Sequence, residues 1–209
     1  MTRFREIIGE YESRYKVLRG VASDLEVYLK SYLTGVQRVD RVAARAKSPE
    51  RFAAKATKVY EDGSERYPNP FTEIQDQIGA RITVFYLSDV AKVEAAIRKY
   101  FKFIEVKSKA PLSDYEFGYF GLHFIICMPD DLIPDDSEEI VPEFFELQIK
   151  TLFQHAWSEA HHDLGYKSIR GLMPEERRKI AFTAAQAWGA DEMFDELAKS
   201  LVNDNEPIP

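Results

Sequence analysis

The sequence predicts an α/β fold of the α+β type: a mixed β-sheet flanked by helices, with helical extensions at the N- and C-terminal ends. Three observations carry this reading. Short runs rich in β-branched and aromatic residues intermix with amphipathic helical runs in the middle of the chain, both ends are helical in pattern, and "GLHFIICMP" is apolar on successive residues, as a strand covered on both faces is. A chain of 209 residues is long enough for one substantial domain and buries about 70% of its unfolded surface. No repeat, low-complexity tract or Gly/Ser linker divides it, so 1–209 is read as a single domain: N-terminal helices over 1–40, a core over 41–170, a C-terminal helix over 171–202 and a flexible tail over 203–209.

In chain order, the first 35 residues place Ile7, Ile8, Tyr11, Tyr15, Val17 and Leu18, followed by Leu25, Tyr28, Leu29, Tyr32 and Leu33, at roughly helical spacing. "KSPERFAAKATKVY" starts a second helix, with Ser48 able to cap it and Pro49 suited to its first turn. Gly63, Pro68 and Pro70 then break the pattern into a loop. "RITVFYL" reads as a strand and "DVAKVEAAIRKYF" as the helix after it. "FKFIEVKSK", "GLHFIICMP" and "FFELQIKT" are three more strands, the second of them expected to be central in the sheet. A helix from about Leu152 and a long one past Gly171 and Pro174 complete the chain.

Composition narrows the function. With 45% hydrophobic and 30% charged residues the chain is an ordinary globular protein. Its 28 basic and 35 acidic residues leave a formal charge of -7, which argues against a surface built throughout to hold nucleic acid but leaves room for a local basic pocket. No run has the length of a membrane span or the apolar core of a secretory signal, and the one cysteine, Cys127, lies in "FIICM", where a buried small hydrophobe is expected. A cytoplasmic protein without membrane partners is the expectation.

Four stretches carry candidate chemistry. In "FFELQIKT", Phe145, Leu147 and Ile149 share one face while Glu146, Gln148 and Lys150 share the other, which is either the wet side of a sheet or the floor of a polar cleft. Asp76 and Arg81 bracket Gly79 at the entrance of the first strand; Asp76 and Glu146 together suit a divalent cation, whereas a plain Asp76 to Arg81 ion pair is the bland alternative. Arg45, Lys47, Arg51, Lys55 and Lys58 put five cations in 14 residues, a solvated helix face or a polyanion site. In "FGYFGLH", glycines flank Tyr119, whose ring is free to face a nucleobase or to be a strand-edge aromatic. A fifth pattern, His155, Glu159 and His162 at i, i+4 and i+7, resembles a zinc face, set against the reading of His155 as a satisfied histidine.

Taken together, "RAKSPERFAAK", "DQIGAR", "GYFGLH" and "FELQIKTLFQHAWSEAHHDLGYK" resemble, in this order, the synthetase domain of the RelA/SpoT family, enzymes that make the alarmones ppGpp and pppGpp. The resemblance runs from about Arg45 to Lys167, and "DEMFDEL" also looks like members of the group. It implies a nucleotidyltransferase-like synthetase fold, a small stand-alone enzyme, and pyrophosphoryl transfer from ATP to the ribose 3′-hydroxyl of GDP or GTP. It also implies ATP-phosphate roles for Arg45, Lys47 and Lys55, with Arg51 in the same motif, and a place beside the adenosine for Arg81. Asp76 matches the magnesium ligand, Glu146 the catalytic glutamate that assists the metal (Mg2+), Gln148 its supporting amide, Tyr119 the tyrosine that stacks on guanine, and His123 a residue of the acceptor pocket.

Some positions depart from the family pattern. Arg51 stands where many members have serine, and Lys150 where arginine is common. Tyr115 and Phe117 stand where guanosine-specific members carry a lysine and an asparagine, which leaves the acceptor open. Besides the alarmone synthetase, two readings stay open: a toxic relative that pyrophosphorylates an adenine nucleotide or the tRNA 3′ end, and a non-catalytic nucleotide-binding module. A homo-oligomer or an antitoxin partner also stays open.

Overall fold

The computed structural model describes residues 2–108, 117–119, 121–167 and 171–201. The expected tail at 203–209 and Tyr115 lie outside the described residues. Five strands form one mixed sheet: β1 (Val39–Ala46), β2 (Ile78–Val84), β3 (Phe103–Ser108), β4 (Leu122–Cys127) and β5 (Phe144–Thr151). They lie in the order β1-β2-β5-β4-β3, with β2 and β5 parallel and the other pairs antiparallel. The middle strand is therefore β5; β4, expected at the centre from its apolar run, is interior but lies one place toward the edge.

Helix α1 (Thr2–Tyr32) buries Tyr11, Leu18, Val21, Ala22, Leu25 and Leu29, a stripe at three- and four-residue spacing. Each fully buried leucine of that stripe contributes about 2 kcal/mol. The 1–40 segment is this one helix rather than several, and residues 39 and 40 already belong to β1. After the helix, Arg38 adopts a left-handed φ of 60°. Its guanidinium donates from Nη2 to Oδ1 of the fully buried Asp89 at 2.8 Å, tying the turn to the start of helix α4 (Leu87–Tyr100).

Helix α2 (Pro49–Ala56) starts as its sequence predicts, the Ser48 hydroxyl accepting from the Arg51 amide and Pro49 opening the first turn. It ends two residues before Lys58, which therefore leaves the expected basic helix face and stands exposed beyond it. A one-turn helix, α3 (Pro70–Glu73), sits in the proline-rich loop.

One sheet face holds Val42, Ile78, Ala80, Ile82, Phe124, Ile126, Phe145, Leu147 and Ile149 in a continuous core with α1, α2 and α4. The opposite face is polar on β1, β2 and β5. A second, smaller apolar cluster of Tyr119, Trp157 and Ala184 joins helix α5 (Leu152–Lys167) to helix α6 (Pro174–Leu201). Among the described residues no helix is long and apolar enough to cross a membrane.

Candidate functional site

The register of the sheet sets out the polar face in rows. Arg45, Gly79 and Glu146 lie side by side on β1, β2 and β5; Ala43, Arg81, Gln148 and His123 form the next row on β1, β2, β5 and β4; Arg41, Thr83 and Lys150 form the third. Because side chains alternate along each strand, these residues face away from the core. All of them except His123 and Lys150 floor a cleft of about 680 Å³ whose wall adds Lys47, Ser48 and Arg51 from the start of α2, Asp76 from the loop before β2, His155 from α5 and Tyr15 from α1. The polar face of "FFELQIKT" is thus the floor of a cleft, and Asp76 and Glu146 open into the same one.

Gly79 leaves a gap in the first row. A Cβ there would meet no atom within 4 Å, so the space between Arg45 and Glu146 belongs to the cleft. Gly121 has the opposite role: a Cβ would lie 2.3 Å from the Ile149 carbonyl oxygen, so only glycine lets the chain enter β4 this close to β5.

Asp76 and Arg81 do not pair with each other. The Asp76 carboxylate accepts from Lys47 and from Lys55, each at 2.9 Å. Arg81 instead reaches α5, where its Nη1 lies 3.0 Å from Nδ1 of His155 and 2.9 Å from Oε1 of Glu159. Two of the three residues that suggested a zinc face therefore hold an arginine, and His155 is a satisfied histidine. Burial, the Arg81 charge and the neighbouring cations depress the His155 pKa, so the ring is neutral at physiological pH. For Glu159, burial pushes the pKa up, but the charge and hydrogen bond of Arg81 more than offset it. His162 is exposed farther along α5.

Glu146 receives His123 Nδ1 at 2.9 Å and Gln148 Nε2 at 3.1 Å. Burial pushes its carboxyl up, but the His123 contact, the Gln148 amide and the Lys55 charge together bring it down to about 2. Beside it Gln148 Oε1 and His123 Nε2 are buried without a partner among the described residues, so polar capacity is left over next to Glu146. Among the described residues no three His, Cys, Asp or Glu side chains gather to hold a metal by themselves. Two hard carboxylates on one cleft rich in cations fit magnesium shared with phosphates, and fit poorly a metal held by protein ligands alone.

Tyr119 is placed differently from its expected role. Its ring is not clear of the backbone: it is 8% exposed, packed with Trp157 and Ala184, and its hydroxyl donates to Oδ2 of Asp191 on α6 at 2.5 Å. Phe117, two residues earlier, is exposed, with its ring 6.4 Å from that of Trp188. Cleft residues that sequence reasoning passed over are Tyr15, Arg41 and Thr83. The alternation of Arg41, Ala43 and Arg45 is the signal that could have found Arg41, had β1 been recognised as a strand.

Residues 44–170, more than half of the chain, match the family model described as the region found in RelA / SpoT proteins. The chain belongs to the RelA/SpoT family. The segment so matched contains Arg45, Lys47, Asp76, Arg81, Tyr119, His123, Glu146 and Gln148, whereas Arg41, Tyr15 and Asp191 fall outside it. GTP pyrophosphokinase YjbM of Bacillus subtilis is 24% identical over 125 residues, a match spanning 59% of this chain and 57% of that relative, so the chain aligns with a little over half of it. Small alarmone synthetase 1 from Bacillus subtilis, bound to its product pppGpp, superposes with a TM-score of 0.74 at 23% identity, covering 93% of this chain and 99% of that one. A GTP pyrophosphokinase family protein from Streptococcus pneumoniae gives 0.75 at 20% identity, over 92% and 94%. At these identities the solved structures establish for this RelA/SpoT member the fold: a five-stranded mixed sheet flanked by helices.

Proposed function

We propose that this RelA/SpoT protein transfers pyrophosphate from ATP to the ribose 3′-hydroxyl of GDP or GTP. The observation that carries the reading is the single cleft on which Asp76 and Glu146 both open, walled by five cations, Arg41, Arg45, Lys47, Arg51 and Arg81. Phosphoryl chemistry asks a protein for charge neutralisation and alignment more than for a covalent nucleophile, and this cleft offers both.

In this reading Arg45, Lys47, Arg51 and Lys55 bind the donor phosphates, and Arg81, held by His155 and Glu159, lies against the adenosine. Asp76 and Glu146 would hold Mg2+, which would neutralise part of the charge on the donor phosphates. The acceptor 3′-oxygen attacks the β-phosphorus in line; a new O3′ to Pβ bond forms, the bond from Pβ to the bridging oxygen breaks, and AMP leaves with that oxygen. A carboxylate with a pKa of about 2 is a weak proton acceptor near neutrality, so Glu146 mainly orients the hydroxyl and stabilises charge. The hydroxyl proton passes to Glu146 only as the new bond forms, and from there to solvent. Tyr119 and His123 serve the acceptor side.

The test is to incubate the protein and magnesium with ATP labelled in its terminal phosphate, supplying GDP, GTP, no second nucleotide or bulk tRNA in turn. Label on GDP or GTP is the expected result. Label confined to tRNA or to an adenine nucleotide overturns the acceptor, and no label with any of them overturns the reaction.

A further inference from the structure

Asp191 is a buried carboxylate with no place in the transfer chemistry. It lies on α6, outside the segment that the family model matches, and is 0% exposed. Its Oδ2 accepts from the Tyr119 hydroxyl at 2.5 Å and also from the Thr151 hydroxyl at the end of β5. Its Oδ1 is buried without a partner among the described residues, and burial pushes its pKa up. Leaving one carboxylate oxygen unsatisfied costs stability, and the arrangement persists because Oδ2 has two hydroxyl donors.

Tyr119 is fixed by this contact and by packing on Trp157 and Ala184. A ring 8% exposed presents no open face on which a nucleobase can lie. Stacking therefore needs the ring to leave this site, which breaks the hydrogen bond to Asp191 and the contact with Trp157. Gly121, kept small by its approach to β5, stands between this segment and the strand carrying His123, so Tyr119 moves on a chain whose far end is anchored.

We propose that Asp191 is a positioning residue that stows Tyr119 away from the acceptor, so that acceptor affinity is set by the release of this latch. The inference rests on the assignment of Tyr119 to the acceptor nucleobase under the proposed function. The measured affinity then equals the intrinsic one multiplied by the fraction of protein with Tyr119 released, and weakening the latch tightens binding.

The sign of one substitution tests it. Tyr119→Phe keeps the ring that stacks and deletes the hydroxyl that is latched, so the KM for GDP or GTP is expected to fall about tenfold, as loss of a hydrogen bond to a buried carboxyl group allows, with the KM for ATP moving far less. An unchanged or raised acceptor KM overturns the latch. Tyr119→Ala separates this from the assignment beneath it: there the acceptor KM rises if Tyr119 stacks, and an unchanged value overturns the stacking role and the latch with it. Asp191→Asn, which keeps the shape and accepts more weakly, is expected to lower the acceptor KM in the same direction. The protein without any substitution at these positions gives a further check. Because Tyr119 packs on Trp157, adding GDP with a non-hydrolysable ATP analogue is expected to shift tryptophan emission excited at wavelengths nucleotides do not absorb, in a Trp188→Phe background that leaves Trp157 as the reporter. No shift at saturating GDP overturns the release.

Discussion

Glu146 lies between His123 and Gln148 with its carboxyl brought down to about 2, so it is ionised throughout the physiological range. Its ordinary value is 4.5. A depressed carboxyl contributes stability that is complete above the unfolded value and is lost as pH falls from there through the folded one. Acid unfolding of the wild type should therefore steepen as pH falls from 4.5 toward 2, and Glu146→Gln should flatten that interval, measured by urea unfolding at a series of pH values. In the proposed reaction the same substitution removes a charge from beside the attacking hydroxyl, so kcat should fall by roughly 10²- to 10³-fold. ATP affinity should change far less, since Lys47, Lys55 and the arginines remain. Near-normal turnover of Glu146→Gln with magnesium present would remove Glu146 from the chemistry.

At the scale of elements, two glycines on the same sheet make opposite demands. A side chain at Gly79 enters open cleft, and a β-branched one suits a strand, whereas a Cβ at Gly121 meets the Ile149 carbonyl. Gly79→Val should keep or raise Tm while raising the KM for ATP about tenfold by filling the donor space, and Gly121→Ala should cost about 1–3 kcal/mol of stability by forcing β4 away from β5. Thermal melts and ATP titrations of the two variants check both, and a destabilised Gly79→Val would mean that the space is part of the packing. The same elements show what could be read beforehand. Helices α1 and α2 and strands β3 to β5 were legible because their apolar periods and the Ser48-Pro49 start are local signals, whereas the strand expected over 81–87 is β2 at Ile78–Val84, three residues earlier, because Gly79 and Ala80 lack the β-branched signal and the 85–87 run turns into helix α4. Strand β1 was not: Val39–Ala46 carries arginines at 41 and 45 and alanines at 43, 44 and 46, so an edge strand's alternation read as a solvated basic stretch before a helix. Asp76 and Glu146 were legible because each sits at a strand entrance or on a strand face that alternation fixes. The partners of Tyr119 and Arg81 were not, since Asp191 lies 72 residues from Tyr119 and His155 lies 74 from Arg81, and only the packing of α5 and α6 against the sheet brings them together.

Across the whole molecule the charge is divided by sign. The chain carries -7, yet the cleft is lined by five cations and two carboxylates, Asp76 and Glu146. The acidic excess lies elsewhere, in part on the connection from β4 to β5, where Asp130, Asp131, Asp135, Asp136, Glu138, Glu139 and Glu143 all stand outside the cleft lining. A concave cationic site in an acidic body attracts a compact polyanion such as a triphosphate and repels an extended one that must also lie along the acidic surface. Two measurements separate these behaviours. ATP affinity, followed by calorimetry, should weaken by roughly 5- to 20-fold as ionic strength rises from about 0.05 to 0.5 M, because the phosphates meet a partly exposed cluster that salt screens. Arg51→Gln, which neutralises an exposed cation at the mouth of the cleft, should make that dependence shallower while leaving the fold intact. Binding of bulk tRNA should stay weak even at the lowest salt. An ATP affinity indifferent to salt would mean that the cations of β1 and α2 serve the fold rather than the donor phosphates. Tight tRNA binding at low salt would mean that the acidic surface does not face the nucleic acid.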